Sequence, residues 1–264
     1  MRIPAVIFDW AGTTVDFGCR APVEAIREAF ASFGVPLSGA EARAHMGLPK
    51  REHIRATCAD AAVAERWAAK HGARPRDVDV ERIYAAFLPM QLAAIEQHSR
   101  VIPGVASLVA HLRARGVRIG STTGYTREML DLVMKRAACE GYLPEASVTP
   151  EEAGMGRPAP LMCYLNAVRL RVYPLSACVK IGDTVSDIEE GRNAGMWTIG
   201  IAVTGNEVGL SEEEWRALDE GERERRAEAA RRRLLDAGAD FVADSVGECE
   251  PLLDEIERRL AARA

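Results

Sequence analysis

The sequence predicts an α/β fold, a doubly wound, Rossmann-like parallel sheet with an all-helical domain inserted after its first strand. Two patterns carry this prediction. Short apolar, β-branched runs alternate with helical segments over most of the chain, which is typical of a parallel sheet covered by helices on both faces. The stretch 21–98 interrupts this alternation, because it is rich in alanine and helix formers and almost free of strand-like runs.

The strand-like runs are short and are separated by helical segments. The first run, 3–8, reads Ile-Pro-Ala-Val-Ile-Phe and ends at Asp9. Similar runs are found at 117–121, 178–182 and 197–203, with a weaker one at 240–243. We expect helices at 104–115, 126–139, 158–170 and 186–194, and a solvent-exposed helix over the charged segment 211–235.

The helical insertion divides the chain into two predicted domains. Its strongest helical segments are 40–71 and 80–98, and we expect hinges near 17–21 and 99–103. These boundaries predict a core domain made of two pieces and a cap domain, with the core at 1–20 and 99–264 and the cap at 21–98.

Composition and charge narrow the class of protein. The 264 residues are 48% hydrophobic and 28% charged, as in an ordinary globular protein. A net charge of −5 and a pI near 5.7 give no electrostatic reason to expect nucleic acid or an anionic membrane as a partner. The apolar runs fall short of the roughly 18 residues that a membrane helix needs. We therefore expect a cytoplasmic protein whose six scattered cysteines stay reduced.

Groups suited to a phosphoryl group and a metal lie at the expected strand ends and in one loop. Ligands of open parallel sheets bind beyond the carboxyl ends of the strands. Asp9 closes the first strand, where a buried acid needs a compensating charge. Thr123 precedes a helix whose N-terminus attracts anions, and Arg157 is suited to neutralise phosphate charge. Asp183 and Asp187, four residues apart, offer the oxygen ligands that Mg²⁺ accepts.

Taken singly, these groups are explained equally well as helix caps or surface charges. In order, however, Asp9, Thr123, Arg157 and the pair Asp183 and Asp187 resemble the four motifs of the haloacid dehalogenase superfamily. The helical insertion lies where that superfamily has its cap domain, so the resemblance covers essentially the whole chain. It implies a haloacid dehalogenase-like core in which Asp9 is the nucleophile. It also implies that Thr123 and Arg157 bind the phosphoryl oxygens.

The resemblance further implies a magnesium ion bound by Asp9, Asp183 and the backbone carbonyl of Ala11, with Asp187 supporting that shell. Ala11 is a departure, because most phosphatases and phosphomutases of the superfamily carry a second acid at this position. That acid protonates the leaving oxygen, a contribution of about 10²–10⁴ in rate. The chain is therefore expected either to be a poor phosphatase or to expel a leaving group that does not need the acid.

A lysine of the insertion could create such a leaving group by reacting with the substrate. Lys50 is one of four lysines among 34 basic residues, and a lysine can act as a nucleophilic amine. An imine between this amine and an aldehyde β to a C–P bond would accept the bonding electrons, so that a neutral enamine departs. Without its neighbours, an exposed helix lysine would be the ordinary explanation. A reactive amine needs a pKa below the usual value of about 10.4.

The segments D-W-A-G-T-T at 9–14 and M-G-L-P-K at 46–50 together resemble the phosphonoacetaldehyde hydrolase family. The similarity extends through 121–129 and 182–198, and Pro49 before the lysine is a difference. The resemblance implies a homodimer that converts phosphonoacetaldehyde and water to acetaldehyde and phosphate in 2-aminoethylphosphonate degradation. It implies Lys50 as the Schiff-base residue and four further residues near the substrate: Cys19, Met46, His53 and Tyr125.

Other functions stay open at this point. A phosphatase or phosphomutase acting on a small phosphate ester would have to work without an acid at Ala11. A haloacid dehalogenase would use the aspartate without Mg²⁺. A binding scaffold that has lost catalysis would leave the complete set of motif residues unexplained.

Overall fold

The computed structural model describes residues 2–262, and within that range a six-stranded parallel sheet forms the centre of the core. Its order is β3-β2-β1-β4-β5-β6, and each pair of neighbours is parallel. The order changes direction between β1 and β4, and ligands of such sheets bind in the crevice beside that point. The predicted doubly wound α/β fold is confirmed. The strands are β1 (Ala5–Phe8), β2 (Arg118–Thr122), β3 (Ala146–Val148), β4 (Val179–Gly182), β5 (Trp197–Ile201) and β6 (Phe241–Ala243).

Between β1 and β2 the chain is helical, as expected. Helices α1 and α5 pack against each other and bury Phe30 and Phe87 completely. The segment expected to be helical over 40–71 is broken, because Gly47 has a φ of 93° and Pro49 precedes the first turn of α3. The helices of this insertion are α1 (Arg20–Ser32), α2 (Gly39–Arg43), α3 (Lys50–Ala59), α4 (Ala61–His71) and α5 (Asp77–His98).

Two crossings connect the helical insertion to the sheet, and they run side by side. The N–H of Asp16 donates to the carbonyl of Arg100 at 3.0 Å, and Val15 pairs antiparallel with Val101. Both crossings lie close to the predicted hinges. The division into a core and a cap domain stays a prediction, and we call α1–α5 the cap helices below.

The core helices follow the strands near their expected positions. Sequence reasoning missed β3, because its residues Ala-Ser-Val include only one strong strand former. It also predicted one helix over 211–235, whereas Asp219 caps a new helix by accepting the N–H of Glu222 at 2.9 Å. Within the described part of the chain, no helix combines the length and apolarity needed to cross a membrane. These core helices are α6 (Val105–Ala114), α7 (Arg127–Cys139), α8 (Pro150–Ala153), α9 (Leu161–Leu170), α10 (Val185–Asn193), α11 (Glu212–Ala217), α12 (Glu220–Asp236) and α13 (Glu250–Ala262).

Helix α10 packs so closely on the sheet that Gly191 has no room for a side chain. A Cβ atom there would lie 2.6 Å from Cγ2 of Thr198 and 2.8 Å from Cβ of Lys180. Alanine gains about 1 kcal/mol in helix propensity, but overpacking costs typically about 1–3 kcal/mol. We expect Gly191→Ala to lower the free energy of unfolding in urea. Gly39→Ala, a helical site with no atom within 4 Å, should not lower it, and equal losses would contradict the packing argument.

Candidate active site

The carboxyl ends of two neighbouring strands bring three carboxylates together. Asp9 directly follows β1, and Asp183 directly follows β4. Asp187 lies in the first turn of α10, three residues after the capping Thr184, whose hydroxyl is 2.6 Å from its Oδ2. One oxygen from each of the three acids lies within 4.8 Å of the others, and all three are buried. Such a group of hard oxygen ligands suits a divalent cation of the Mg²⁺ type.

The protonation chemistry of these acids supports the same conclusion. Burial, and after it the negative charge of Asp187, raises the pKa of Asp9, although Arg157 acts in the opposite direction. Burial and then the charges of Asp9 and Asp187 raise the pKa of Asp183 well above its usual value. A bound cation would favour the charged forms and remove this penalty. The residues present therefore fit a divalent metal ion.

The turn after β1 closes directly on Asp183. The hydroxyl of Thr13 donates to its Oδ1 at 2.9 Å, and the N–H of Asn206 donates to its Oδ2 at 2.8 Å. Gly12 has a φ of 89°, and a Cβ atom there would lie 2.3 Å from Oδ2. A side chain at position 12 would therefore clash with the carboxylate of Asp183. Gly12 leaves room for this carboxylate, and Thr13 holds it with a hydrogen bond.

Two buried cations offset part of the negative charge of the acids. Arg157 Nη2 lies 2.7 Å from Asp9 and 3.0 Å from Asp187, and its Nε lies 3.0 Å from Glu190. Lys180 Nζ lies 2.7 Å from Asp187 and 3.4 Å from Glu190. Burial lowers the pKa of Lys180, but the charges of Asp187, Glu190 and Asp9 together outweigh burial and raise that pKa. Both side chains therefore stay charged and fix the acids around Asp9.

Sequence reasoning missed two members of this network. It left Lys180 outside the site, whereas the structure buries its amine completely beside Asp187. It did not single out Glu190, which lies on the same face of α10 as Asp187, three residues later. The signal for Lys180 was its position in the buried strand Cys-Val-Lys-Ile-Gly, where a charge needs a partner.

A small cavity lies between the cap helices and the carboxyl ends of the strands. Asp9 and Lys50 face it from opposite sides, and each is only 5% exposed. The cavity therefore suits a small molecule that is shielded from water. Its lining includes nearly all the predicted substrate contacts: Asp9, Ala11, Cys19, Met46, Lys50, Thr123, Tyr125 and Arg157, together with Pro22, Gly47, Gly124 and Thr184.

Lys50 is the first residue of helix α3, and its amine is buried in this cavity. Its Nζ lies 3.7 Å from Sδ of Met46 and 5.4 Å from the ring centre of Tyr125. Burial is the main cause of the lowered pKa of Lys50, and the charge of Arg157 acts in the same direction. The N-terminus of a helix also disfavours a positive charge. These surroundings favour the neutral, nucleophilic amine.

Four more of the predicted substrate contacts line the cavity: Thr123, Cys19, Tyr125 and Met46. Thr123 follows β2 directly, and its hydroxyl accepts the N–H of Tyr125 at 3.1 Å. Burial raises the pKa of Cys19 and of Tyr125 well above their usual values, so both side chains stay protonated. Cys19 and Met46 line the cavity as neutral groups.

His53 lies behind Lys50 and not at the cavity surface. Its Nε2 is 3.1 Å from the carbonyl of Ala42, and its Nδ1 has no hydrogen-bond partner within residues 2–262. Burial, followed by the charge of Lys50, lowers the pKa of His53 well below its usual value. The ring is therefore neutral and packs beneath the amine, one helical turn away.

Removing Lys180 should cost stability, because Asp187 and Glu190 would remain buried with Arg157 as their remaining cation. Breaking a buried ion pair from one side typically costs about 3–5 kcal/mol. We expect Lys180→Met to lower the free energy of unfolding by that amount in urea titrations. Lys135→Met, at an exposed helix position, is the matched control and should change it little. Similar losses in both variants would refute the network.

Comparisons with known proteins agree with this site. The family model for haloacid dehalogenase-like hydrolases matches residues 3–195. Phosphonoacetaldehyde hydrolases from Bacillus thuringiensis (strain Al Hakam) and Syntrophobacter fumaroxidans (strain DSM 10017 / MPOB) are 47% and 46% identical over 259 residues, covering 98% of this chain and 98% and 94% of theirs. A phosphonoacetaldehyde hydrolase like protein from Oleispira antarctica superposes with a TM-score of 0.98 at 39% identity, covering 100% of this chain and 96% of that one. The chain belongs to the haloacid dehalogenase-like hydrolases and, within them, to the phosphonoacetaldehyde hydrolase family.

Proposed function

We propose that this enzyme hydrolyses the C–P bond of phosphonoacetaldehyde to give acetaldehyde and phosphate. The observation that carries the proposal is the pairing of two buried nucleophiles across one cavity. Asp9 is held beside Arg157 at the sheet, and the amine of Lys50 faces it from the cap helices. An oxygen nucleophile for phosphorus and an amine for an aldehyde are the two groups that this reaction needs.

Lys50 begins the reaction by condensing with the aldehyde carbon and releasing one water molecule. The lowered pKa of Lys50 provides the neutral amine for this step. The resulting protonated imine is an electron sink β to phosphorus. Closure of the cavity keeps bulk water away from this reactive species.

Asp9 then attacks phosphorus, and the electrons of the C–P bond move into the iminium to form an enamine. Arg157, 2.7 Å from Asp9, is placed to offset the phosphoryl charge, and the Thr123 hydroxyl is suited to bind a phosphoryl oxygen. Mg²⁺ held by Asp9, Asp183 and the carbonyl of Ala11 would supply further positive charge, with Asp187 supporting that shell. The enamine takes up a proton at the carbon that has left phosphorus and becomes an imine again. One water molecule cleaves the aspartyl phosphate and another releases acetaldehyde from the imine; because imine formation released one, the net reaction consumes one.

Ala11 separates this function from that of a phosphatase. Its methyl group lines the cavity where an acid would be needed to protonate an alkoxide leaving group. An enamine is neutral when it departs, so the missing acid costs nothing. A phosphatase or phosphomutase acting on a small phosphate ester is the alternative, supported by the same Asp9, Arg157 and Asp183 but opposed by Ala11.

We further propose that the enzyme works in the cytoplasm as a homodimer. Reduced cysteines support the compartment: Cys19, Cys58, Cys163, Cys178 and Cys249 are buried free thiols. The dimer rests on the family resemblance. Sedimentation velocity of the purified protein would measure the assembly directly.

Two variants separate the two covalent steps. With phosphonoacetaldehyde and borohydride, wild type should carry a reduced adduct on Lys50 and lose activity. Lys50→Arg should form no adduct, whereas Asp9→Asn should form it but release no phosphate. Lys135→Arg, at an exposed position, should behave as wild type. Mass spectrometry and phosphate assays give the readouts, and an adduct on Lys50→Arg at the wild-type rate would overturn the amine assignment. Faster turnover of sugar phosphates would favour the phosphatase.

The pH dependence of Lys50 reactivity follows from its surroundings. A lowered pKa means that the neutral amine is populated at lower pH, so reductive methylation by formaldehyde and borohydride should reach its plateau earlier. We expect the midpoint for Lys50 to lie below the usual value of about 10.4. Peptide mass spectrometry can follow the exposed Lys135 in the same samples as an internal control. Coincident midpoints would show that burial does not activate this amine.

A further inference from the structure

Arg43 connects the cap helices to the core through hydrogen bonds that the reaction above does not use. It is the last residue of α2, seven residues before Lys50. Its Nη2 donates to the carbonyl of Gly209 at 2.7 Å, and its Nη1 donates to the carbonyl of Gly18 at 2.9 Å and to Oδ1 of Asn206 at 3.3 Å. These acceptors are neutral oxygens, so the contact can separate without leaving a carboxylate unpaired.

The core partners of Arg43 lead directly to the predicted metal site. Gly209 and Asn206 belong to the loop 203–210, which follows β5. The N–H of Asn206 donates to Oδ2 of Asp183 at 2.8 Å, and the hydroxyl of Thr204 donates to the carbonyl of Gly12 at 3.0 Å. One loop therefore binds the guanidinium of a cap helix on one side and fixes a ligand carboxylate on the other.

The chain between Arg43 and Lys50 packs closely against core loops at three positions where one of the contacting residues is a glycine. A Cβ atom on Gly47 would lie 2.4 Å from Oγ1 of Thr184, and one on Gly124 would lie 2.6 Å from the carbonyl oxygen of Leu48. A Cβ atom on Gly156 would likewise lie 2.2 Å from Cγ of Pro49. These close approaches seat the segment 43–50 on loops that follow β2, β3 and β4, with Arg43 and Lys50 at its ends.

We propose that Arg43 is a positioning residue that holds the cap helices closed against the loop 203–210 and thereby places the Lys50 amine in the cavity. The proposal rests on the proposed function for the role of Lys50. Because Asp9 and Lys50 are each only 5% exposed, substrate can reach both of them only if contacts between the cap helices and the core open. The hydrogen bonds of Arg43 to Gly209 and Asn206 cross that boundary, so they stabilise the closed state alone.

A residue that stabilises only the closed state has a characteristic kinetic effect. Its loss lowers the closed fraction and raises the apparent KM in proportion, whereas saturating substrate restores closure and preserves kcat. Loss of charged hydrogen bonds of this kind should raise KM about tenfold or more. A structural role would instead reduce the amount of active enzyme, which lowers kcat and leaves KM unchanged.

The experiment compares Arg43→Met and Arg43→Lys with Arg66→Met. Arg66 is the matched control, because its Nη2 lies 2.8 Å from Glu41 and joins α4 to α2 within the cap helices. Hydrogen–deuterium exchange of the segment 203–210, measured without substrate, reports the contact independently of catalysis. Steady-state kinetics with phosphonoacetaldehyde report closure.

We expect Arg43→Met to speed amide exchange in 203–210 and to raise KM about tenfold or more with kcat within about twofold of wild type. The exchange rate and KM of Arg43→Lys should lie between those of Arg43→Met and wild type. Both quantities should be unchanged from wild type in Arg66→Met. Unchanged exchange and KM in Arg43→Met, or a fall in kcat at constant KM, would overturn the proposal. Inactive wild type would instead refute the proposed function, while the exchange result would still decide the role of Arg43.

Discussion

The site depends on an imbalance of buried charge. Four carboxylates, those of Asp9, Asp183, Asp187 and Glu190, meet two cations, Arg157 and Lys180, in a completely or almost completely buried cluster. The cluster is therefore short of two positive charges. This deficit explains why the pKa values of Asp9 and Asp183 are raised by burial and by neighbouring acids. A divalent cation would make up the difference, so the balance of buried charge favours a metal ion at this site.

In the proposed mechanism, the two nucleophiles need opposite environments. Asp9 must stay ionised, and it lies beside Arg157 and beside strand-end acids that could hold a metal ion with it. Lys50 must lose its proton, so it lies on the cap helices, at a helix N-terminus and against Met46 and Tyr125. The charges of Asp9 and Asp183 act to raise the pKa of Lys50, but burial outweighs them and lowers it. The two environments meet at one cavity when these helices are closed.

Sequence patterns predicted the parts of this arrangement that depend on local order. Asp9, Thr123 and Asp183 follow strands that alternate with helices, so their meeting at one edge of the sheet could be foreseen. Strand β3 was not recognised, because Ala and Ser supply two of its three residues and neither favours a strand. Lys180 and Arg43 were missed for a different reason: their roles come from partners that are distant in sequence, at Asp187 and in the loop 203–210. Such contacts exist only after the chain has folded.

Ala11 links the chemistry of the core to the geometry of the cap helices. An enzyme with an acid at this position can protonate its leaving group from the core alone. In the mechanism proposed here, the leaving group becomes acceptable only after it is bound to Lys50, so cleavage at the Asp9 end would have to wait for closure. An open enzyme would expose Asp9 to water without an electron sink for the C–P bond. The loss of one carboxyl group thus makes the reaction conditional on the contacts that the segment 43–50 makes with the core.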